Sequence, residues 1–242
     1  MPAPATKKIP RESRPASGTG NTRDRILSAA MRLFNEHGVQ NVAVDHIAQA
    51  LGISNGNLNY HFPRKRDLLR ATLVLLQERM REALSPSFAA VDPQQGARDL
   101  IRILRAFWDF RFFFTALTFL LSKDEELRDE YFRFHDWALD TVDAGLHQMI
   151  AHGHFQAPRA PNTSRLLAEN MWSQWLNWLR MQQIYSPSLD VPEGEALYDC
   201  ALHHWSLLEP YFDADYARNL PPVFRALLLE APQGTDSAGG SI

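Results

Sequence analysis

The sequence predicts an all-α protein in which an N-terminal three-helix helix-turn-helix module precedes a larger helical domain. Three observations lead there. Apolar residues recur at helical spacing through most of the 242-residue chain, and no segment alternates as a strand would. Residues 44–65, VDHIAQALGISNGNLNYHFPRK, scan as two very short amphipathic helices joined by a tight turn. An apolar content of 45% is enough for a sizeable core.

Taken in order, residues 1–20 are rich in Pro, Ser, Gly, Ala and Thr and carry Lys7, Lys8, Arg11 and Arg14, the composition of a disordered basic arm. Whether that arm touches a polyanion or is a solvated tail stays open. The module is expected over 21–66. Asn21 or Thr22 can cap a first helix running to about His37, with Ile26, Ala29, Ala30, Leu33 and Phe34 on one stripe and Gly38 at its end. Ile47, Ala48 and Leu51 give the second helix its apolar face, leaving Asp45, His46 and Gln49 outward, and Gly52 stops it. Ser54 can cap the third, Leu58 and Phe62 anchor it, and Pro63 closes the unit.

From Lys65 a longer helix continues through Leu68, Leu69, Thr72, Leu75, Leu76 and Met80 to about Ser85, leading into a helical domain over 67–230. Further helices are expected from Pro93 through Phe107 and Trp108 into the aromatic run FWDFRFFFTALTFLL, from Asp124 to about Gly153, from Asn162 to Tyr185 and from Glu193 to Tyr211. A short helix should follow Pro222. Residues 231–242 read as a disordered tail.

The third helix carries the chemistry. Opposite Leu58 and Phe62 lie Gly56 and Tyr60, flanked by Asn57 and Asn59, with Asn55 and His61 nearer the edges. Asparagine and glycine are poor helix formers. They do supply amide donors and acceptors and room for a close backbone, which suits base edges and phosphate oxygens in a major groove. Arg64, Lys65 and Arg66 follow, placed to neutralise phosphates. Charge is distributed accordingly: residues 1–84 hold 13 Lys and Arg against 7 Asp and Glu, a net +6, and residues 85–242 hold 12 against 21, a net −9. A polyanion should therefore meet the N-terminal third.

Other chemistries lack their signals. A single cysteine, Cys200, excludes an internal disulfide and fits a reducing compartment. No apolar run approaches the ~18 residues of a membrane span and no hydrophobic leader opens the chain, so a soluble, cytoplasmic protein with no membrane partner is expected. Asp136, Asp140, Asp143 and His147 share a helical side but read as a solvated acidic face, and adjacent His203 and His204 point apart. No catalytic triad order, phosphate loop or zinc-protease motif appears. No enzyme, cofactor or metal is expected.

The span from Arg23 to Leu69, with ILSAAMRLFNEHGV and then IAQALGISNGNLNYHFPRKRDLL, resembles the DNA-binding domain of the TetR family of bacterial transcriptional regulators. Order, spacing and the closing YHFPxKxDLL all agree. The resemblance implies that the third helix lies in the major groove of an operator half-site. It implies base or backbone contact for Asn55, Gly56, Asn57, Asn59, Tyr60 and His61, and phosphate contact for Lys65. Two departures stand out. Ala43 and Asp45 occupy positions where a hydroxyl and a basic residue are usual at the start of the second helix, and Asn59 stands where a tyrosine is common. The role of Asp45 stays open.

For the larger domain the resemblance implies effector binding and dimerisation. Phe107, Trp108, Phe110, Arg111, Phe114 and Trp175 are the candidate effector contacts. The aromatics are too many for one helical face, and a buried Arg111 would need an anionic partner, so a small hydrophobic effector that can carry an anionic head is expected. The helices Asn162–Tyr185 and Glu193–Tyr211 are apolar on two sides. One side should pack on the body and the other on a second copy, with Met171, Trp172, Trp178, Tyr198 and Trp205 at a two-fold interface, unless both sides are covered within one chain. The expected protein is a homodimeric regulator, taken as a repressor, that binds a pseudo-palindromic double-stranded operator and is released by its effector. The alternative is a helical protein-interaction scaffold that does not read DNA sequence.

Overall fold

The computed structural model describes residues 21–84, 92–185 and 192–230; the basic arm and the C-terminal tail fall outside them. The described residues form eleven α-helices with short 3-10 turns at Val39–Asn41 and Glu209–Tyr211. Helix α1 spans Thr22–His37, α2 Val44–Leu51, α3 Asn55–His61 and α4 Lys65–Ala83. The body follows as α5 Pro93–Asp109, α6 Arg111–Thr115, α7 Leu117–Lys123, α8 Glu125–Ala151, α9 Ser164–Tyr185, α10 Glu193–Leu208 and α11 Ala214–Arg225.

Local chemistry accounts for the ends. Asn21, Ser54, Asp92, Asp124 and Asp213 each turn a side-chain oxygen back onto an N–H of the first turn, satisfying a donor the helix cannot. Gly52 ends α2 at φ 65°, the left-handed conformation that a β-carbon disfavours. Alanine at the cap of α2 offers no acceptor. His46 supplies one from inside the helix, where the Ala43 N–H donates to its Nδ1 at 3.2 Å. The neutral ring must then carry its proton on Nε2.

The expected continuous helix through the aromatic run breaks twice, at Phe110 and at Ala116. A straight helix would push part of the cluster into water. The bends instead bury Phe107, Trp108, Phe110, Phe112, Phe113 and Phe114 together, each 5% exposed or less. The C-terminal helix also differs from the expected short piece after Pro222. It begins at Ala214, because Asp213 accepts from the N–H groups of Asp215 and Tyr216 at 2.9 Å, and it carries Pro221 and Pro222 within it.

In the module α1 packs on α2, and α2 on α3. Ile26, Ala30, Ile47 and Leu58, all fully buried, make its centre. In the body α5 lies against α4, α10 and α11, while α8 lies against α7, α9 and α4. Helix α4 also packs on α1, so module and body share one continuous apolar cluster. Among the described residues no helix is long and apolar enough to cross a membrane.

Candidate nucleic-acid interface and effector cavity

Helix α3 is only seven residues long and holds its place through Leu58, fully buried, and Phe62, 2% exposed at its C-cap. The guanidinium of Arg23 sits over the Phe62 ring at 5.2 Å. With that side pinned, the other is turned to solvent: Asn55, Gly56, Asn57, Asn59 and Tyr60 are exposed, and Tyr60 reaches 84%. His61 is half-buried and meets the Tyr60 ring edge-on at 5.2 Å. A β-carbon on Gly56 would come no nearer than 3.9 Å to Ser54 Oγ, so the protein itself leaves the space above that glycine open. A large aromatic exposed to this degree on a surface of amides gains nothing from its own core, which is the arrangement expected of a reading surface.

Lys65 is half-buried. Its ammonium donates to the Val39 carbonyl and lies 5.6 Å from the Phe34 ring centroid, and burial holds its pKa below the usual lysine range. Its charge therefore serves the junction between α1, the following 3-10 turn and α4. Arg64 and Arg66 beside it are exposed. Asp45 is exposed in the first turn of α2.

Deep in the body, a cavity of about 50 Å³ is walled by Met80, Leu100, Leu104, Phe107, Trp175 and His204, among others. Of the candidate effector residues, Phe107 and Trp175 line it, stacked on each other with ring centroids 3.9 Å apart. Phe114 stands behind them, edge-on to Trp175 at 4.5 Å. The others do not reach the cavity. Trp108 faces Trp178, and Phe110 is sealed under the guanidinium of Arg79. Arg111 folds back over the Trp108 ring at 4.6 Å and donates to the Trp108 carbonyl at 2.9 Å. Burial lowers its pKa, against the opposing pull of Asp109, Glu193 and Glu36. A carboxylate in the cavity would thus find no arginine.

The polar group that does line the cavity is His204, which the sequence left unassigned. It is 4% exposed, its Nδ1 lies 3.0 Å from the Cys200 carbonyl, and burial pushes its pKa down to about 4. It is therefore a neutral ring at physiological pH. The signal for it was its place at i+4 from Cys200 on the apolar side of α10. The Cys200 thiol is buried and its pKa is raised well above the ordinary value, so it is not a nucleophile.

The expected dimer residues divide, Trp178 and Trp205 being buried in the chain and Met171, Trp172 and Tyr198 half-buried. Trp172 packs on Phe107, Phe134 and His135, Trp178 is 6% exposed and donates from Nε1 to Asp199 at 2.7 Å, and Trp205 is 7% exposed and stacks on Phe212. Met171 lines the cavity and Tyr198 is half-buried. Trp172, Trp178 and Trp205 thus each have partners within the chain. The outer face of α9 instead carries Leu166, Asn170, Ser173, Asn177, Arg180 and Ile184, and the outer face of α10 carries Leu202.

A short helix held by two apolar residues on its inner side, showing amides and a tyrosine on its outer side and joined to a helical body, defines a helix-turn-helix protein of the DNA-binding class. Residues 26–72 match the family model for bacterial regulatory proteins of the tetR family, and residues 75–220 match the model described as a bacterial transcriptional repressor. The chain belongs to the TetR family, whose members are regulators and not enzymes. It is 26% identical to a TetR-family transcriptional regulator from Marinobacter aquaeolei VT8, with TM-score 0.73 over 85% of this chain and 98% of that one. It is 25% identical to PfmR of Thermus thermophilus, with TM-score 0.59 over 76% and 97%. Among curated relatives it is 32% identical to the regulator LmrA of Bacillus subtilis over 35% of this chain and 46% of LmrA. For BetI of Yersinia pestis the identity is 33%, over 31% and 40%. The match spans less than half the length of these curated relatives.

Proposed function

We propose that the protein is a DNA-binding transcriptional repressor that grips a pseudo-palindromic operator as a homodimer and releases it when a small apolar molecule occupies the body. The observation that carries the DNA reading is the outward face of α3, where Tyr60 is 84% exposed beside Asn55, Gly56, Asn57 and Asn59 while Leu58 is fully buried two residues away. Exposed Arg64 and Arg66 at the start of α4 supply phosphate contacts.

The effector reading rests on the cavity around Phe107, Trp175 and His204. Its wall is apolar and its histidine neutral, so an uncharged molecule fits it better than an anion, which would lose its hydration with no cation to meet it. At about 50 Å³ the cavity admits an effector only by displacing its walls. The dimer reading rests on Leu166, Ile184, Tyr185 and Leu202, apolar residues of α9 and α10 left exposed by the described residues.

The test is selection of binding duplexes from a random pool, followed by gel shift and sedimentation. The expected result is an inverted repeat whose half-sites are one helical turn apart, bound by two copies of the chain. Recovery of no sequence preference would leave only the scaffold reading.

A further inference from the structure

The break at Phe110 leaves two backbone groups that a continuous helix would have paired. One is the Asp109 carbonyl at the end of α5 and the other is the Phe112 N–H at the start of α6. A single side chain from the reading module takes up both. On α1, Asn35 donates from Nδ2 to the Asp109 carbonyl at 2.8 Å and accepts at Oδ1 from the Phe112 N–H at 3.0 Å. One neighbour can only accept and the other can only donate, so the orientation of the amide is settled by its partners. Next to it in the chain, the Phe34 ring lies 5.3 Å from the Phe112 ring.

The same bend is in contact with the cavity wall. Phe107, two residues before Asp109, lines the cavity and stacks on Trp175. Phe114, two residues after Phe112, meets Trp175 edge-on with ring centroids 4.5 Å apart. A molecule that opens the cavity by moving Phe107 or Trp175 therefore presses on rings carried on both sides of the bend between α5 and α6. Because the Asn35 amide is rigid and planar and is bonded on both sides of that bend, a change of angle costs it one bond, hydrogen bonds being steeply dependent on direction. Helix α1 packs on α2, which holds α3, so the amide links the bend to the reading surface through packed elements.

We propose that Asn35 is the coupling residue of this chain: it fixes the reading module against the α5–α6 bend and reports a change of that bend to α1. The proposal rests on the DNA-binding reading above. Coupling between two sites is reciprocal, so the coupling can be followed from the DNA side without knowing the effector.

The experiment is amide hydrogen exchange of the full chain over residues 109–115, with and without a duplex recovered by the selection. In the unsubstituted protein the duplex should slow exchange severalfold at 111–115. In Asn35→Ala the duplex should leave that segment unchanged, and Asn35→Asp, which keeps the acceptor for Phe112 but loses the donor to Asp109, should fall between. If Asn35→Ala does not fold, Asn35→Asp carries the comparison against the unsubstituted chain. The same slowing in the Asn35 variants as in the unsubstituted protein, or no slowing in any of them, would overturn the coupling while leaving DNA binding intact. A selection that yields no duplex removes the DNA reading first and the coupling with it.

Discussion

Leu58 and Tyr60 are two residues apart on α3, yet Leu58 is fully buried and Tyr60 is 84% exposed. On a helix of seven residues this division decides what each substitution does. Tyr60→Ala removes no core contact, so its thermal melt should match that of the unsubstituted protein. Its affinity for a selected duplex should fall by roughly 5- to 150-fold, the loss of about 1–3 kcal/mol expected for a specific contact. Leu58→Ala should instead lower stability by about 2–5 kcal/mol and lose DNA binding with it. Urea unfolding alongside gel shifts separates the two.

Lysine and arginine around α4 should part company in salt. Arg64→Ala and Arg66→Ala remove exposed charges, and each should reduce the slope of log affinity against log salt by about 1. Lys65→Met should leave that slope unchanged, because its ammonium is bonded to the Val39 carbonyl. It should cost about 1 kcal/mol of stability.

Acidification should weaken the fold through His204. Its folded-state pKa of about 4 lies below the ordinary 6.5, so between these values the unfolded chain binds a proton that the folded chain refuses. Stability is therefore full above pH 6.5 and is lost as pH falls toward 4. Between about pH 7 and pH 5 the loss should be on the order of 2 kcal/mol. His204→Gln should flatten the dependence in this window, as read from denaturant midpoints at each pH.

Helices α5 and α11 meet at Gly96, where an added β-carbon would strike the Tyr216 hydroxyl. Gly96→Ala should cost about 1–3 kcal/mol through overpacking. Tyr216→Phe in the same chain, which removes the struck oxygen, should recover much of it. A double-mutant cycle by urea unfolding checks the compensation.

The module was legible because its rules are local. Gly38, Gly52 and Ser54 mark where helices stop and start, and the spacing of Leu58 and Phe62 alone assigns the outward face of α3. The body was legible as helices but not as contacts. Periodicity could place Trp172, Trp178 and Trp205 on apolar stripes, but a stripe looks the same whether a neighbour in the chain or a second copy covers it. The fold supplied Phe134, Asp199 and Phe212 as their partners.

From residue order alone came the all-α class, the reading helix and the side of it that faces out, since each depends on neighbours within a few positions. Assembly in three dimensions decided the rest. It bent the aromatic segment at Phe110, turned Lys65 and Arg111 onto the protein itself, placed a neutral His204 in the cavity wall and brought Asn35 to a bend more than 70 residues away. The reason is packing. Many bulky rings must be buried at once, and the path that buries them creates carbonyls and N–H groups in need of partners, which the local sequence does not name.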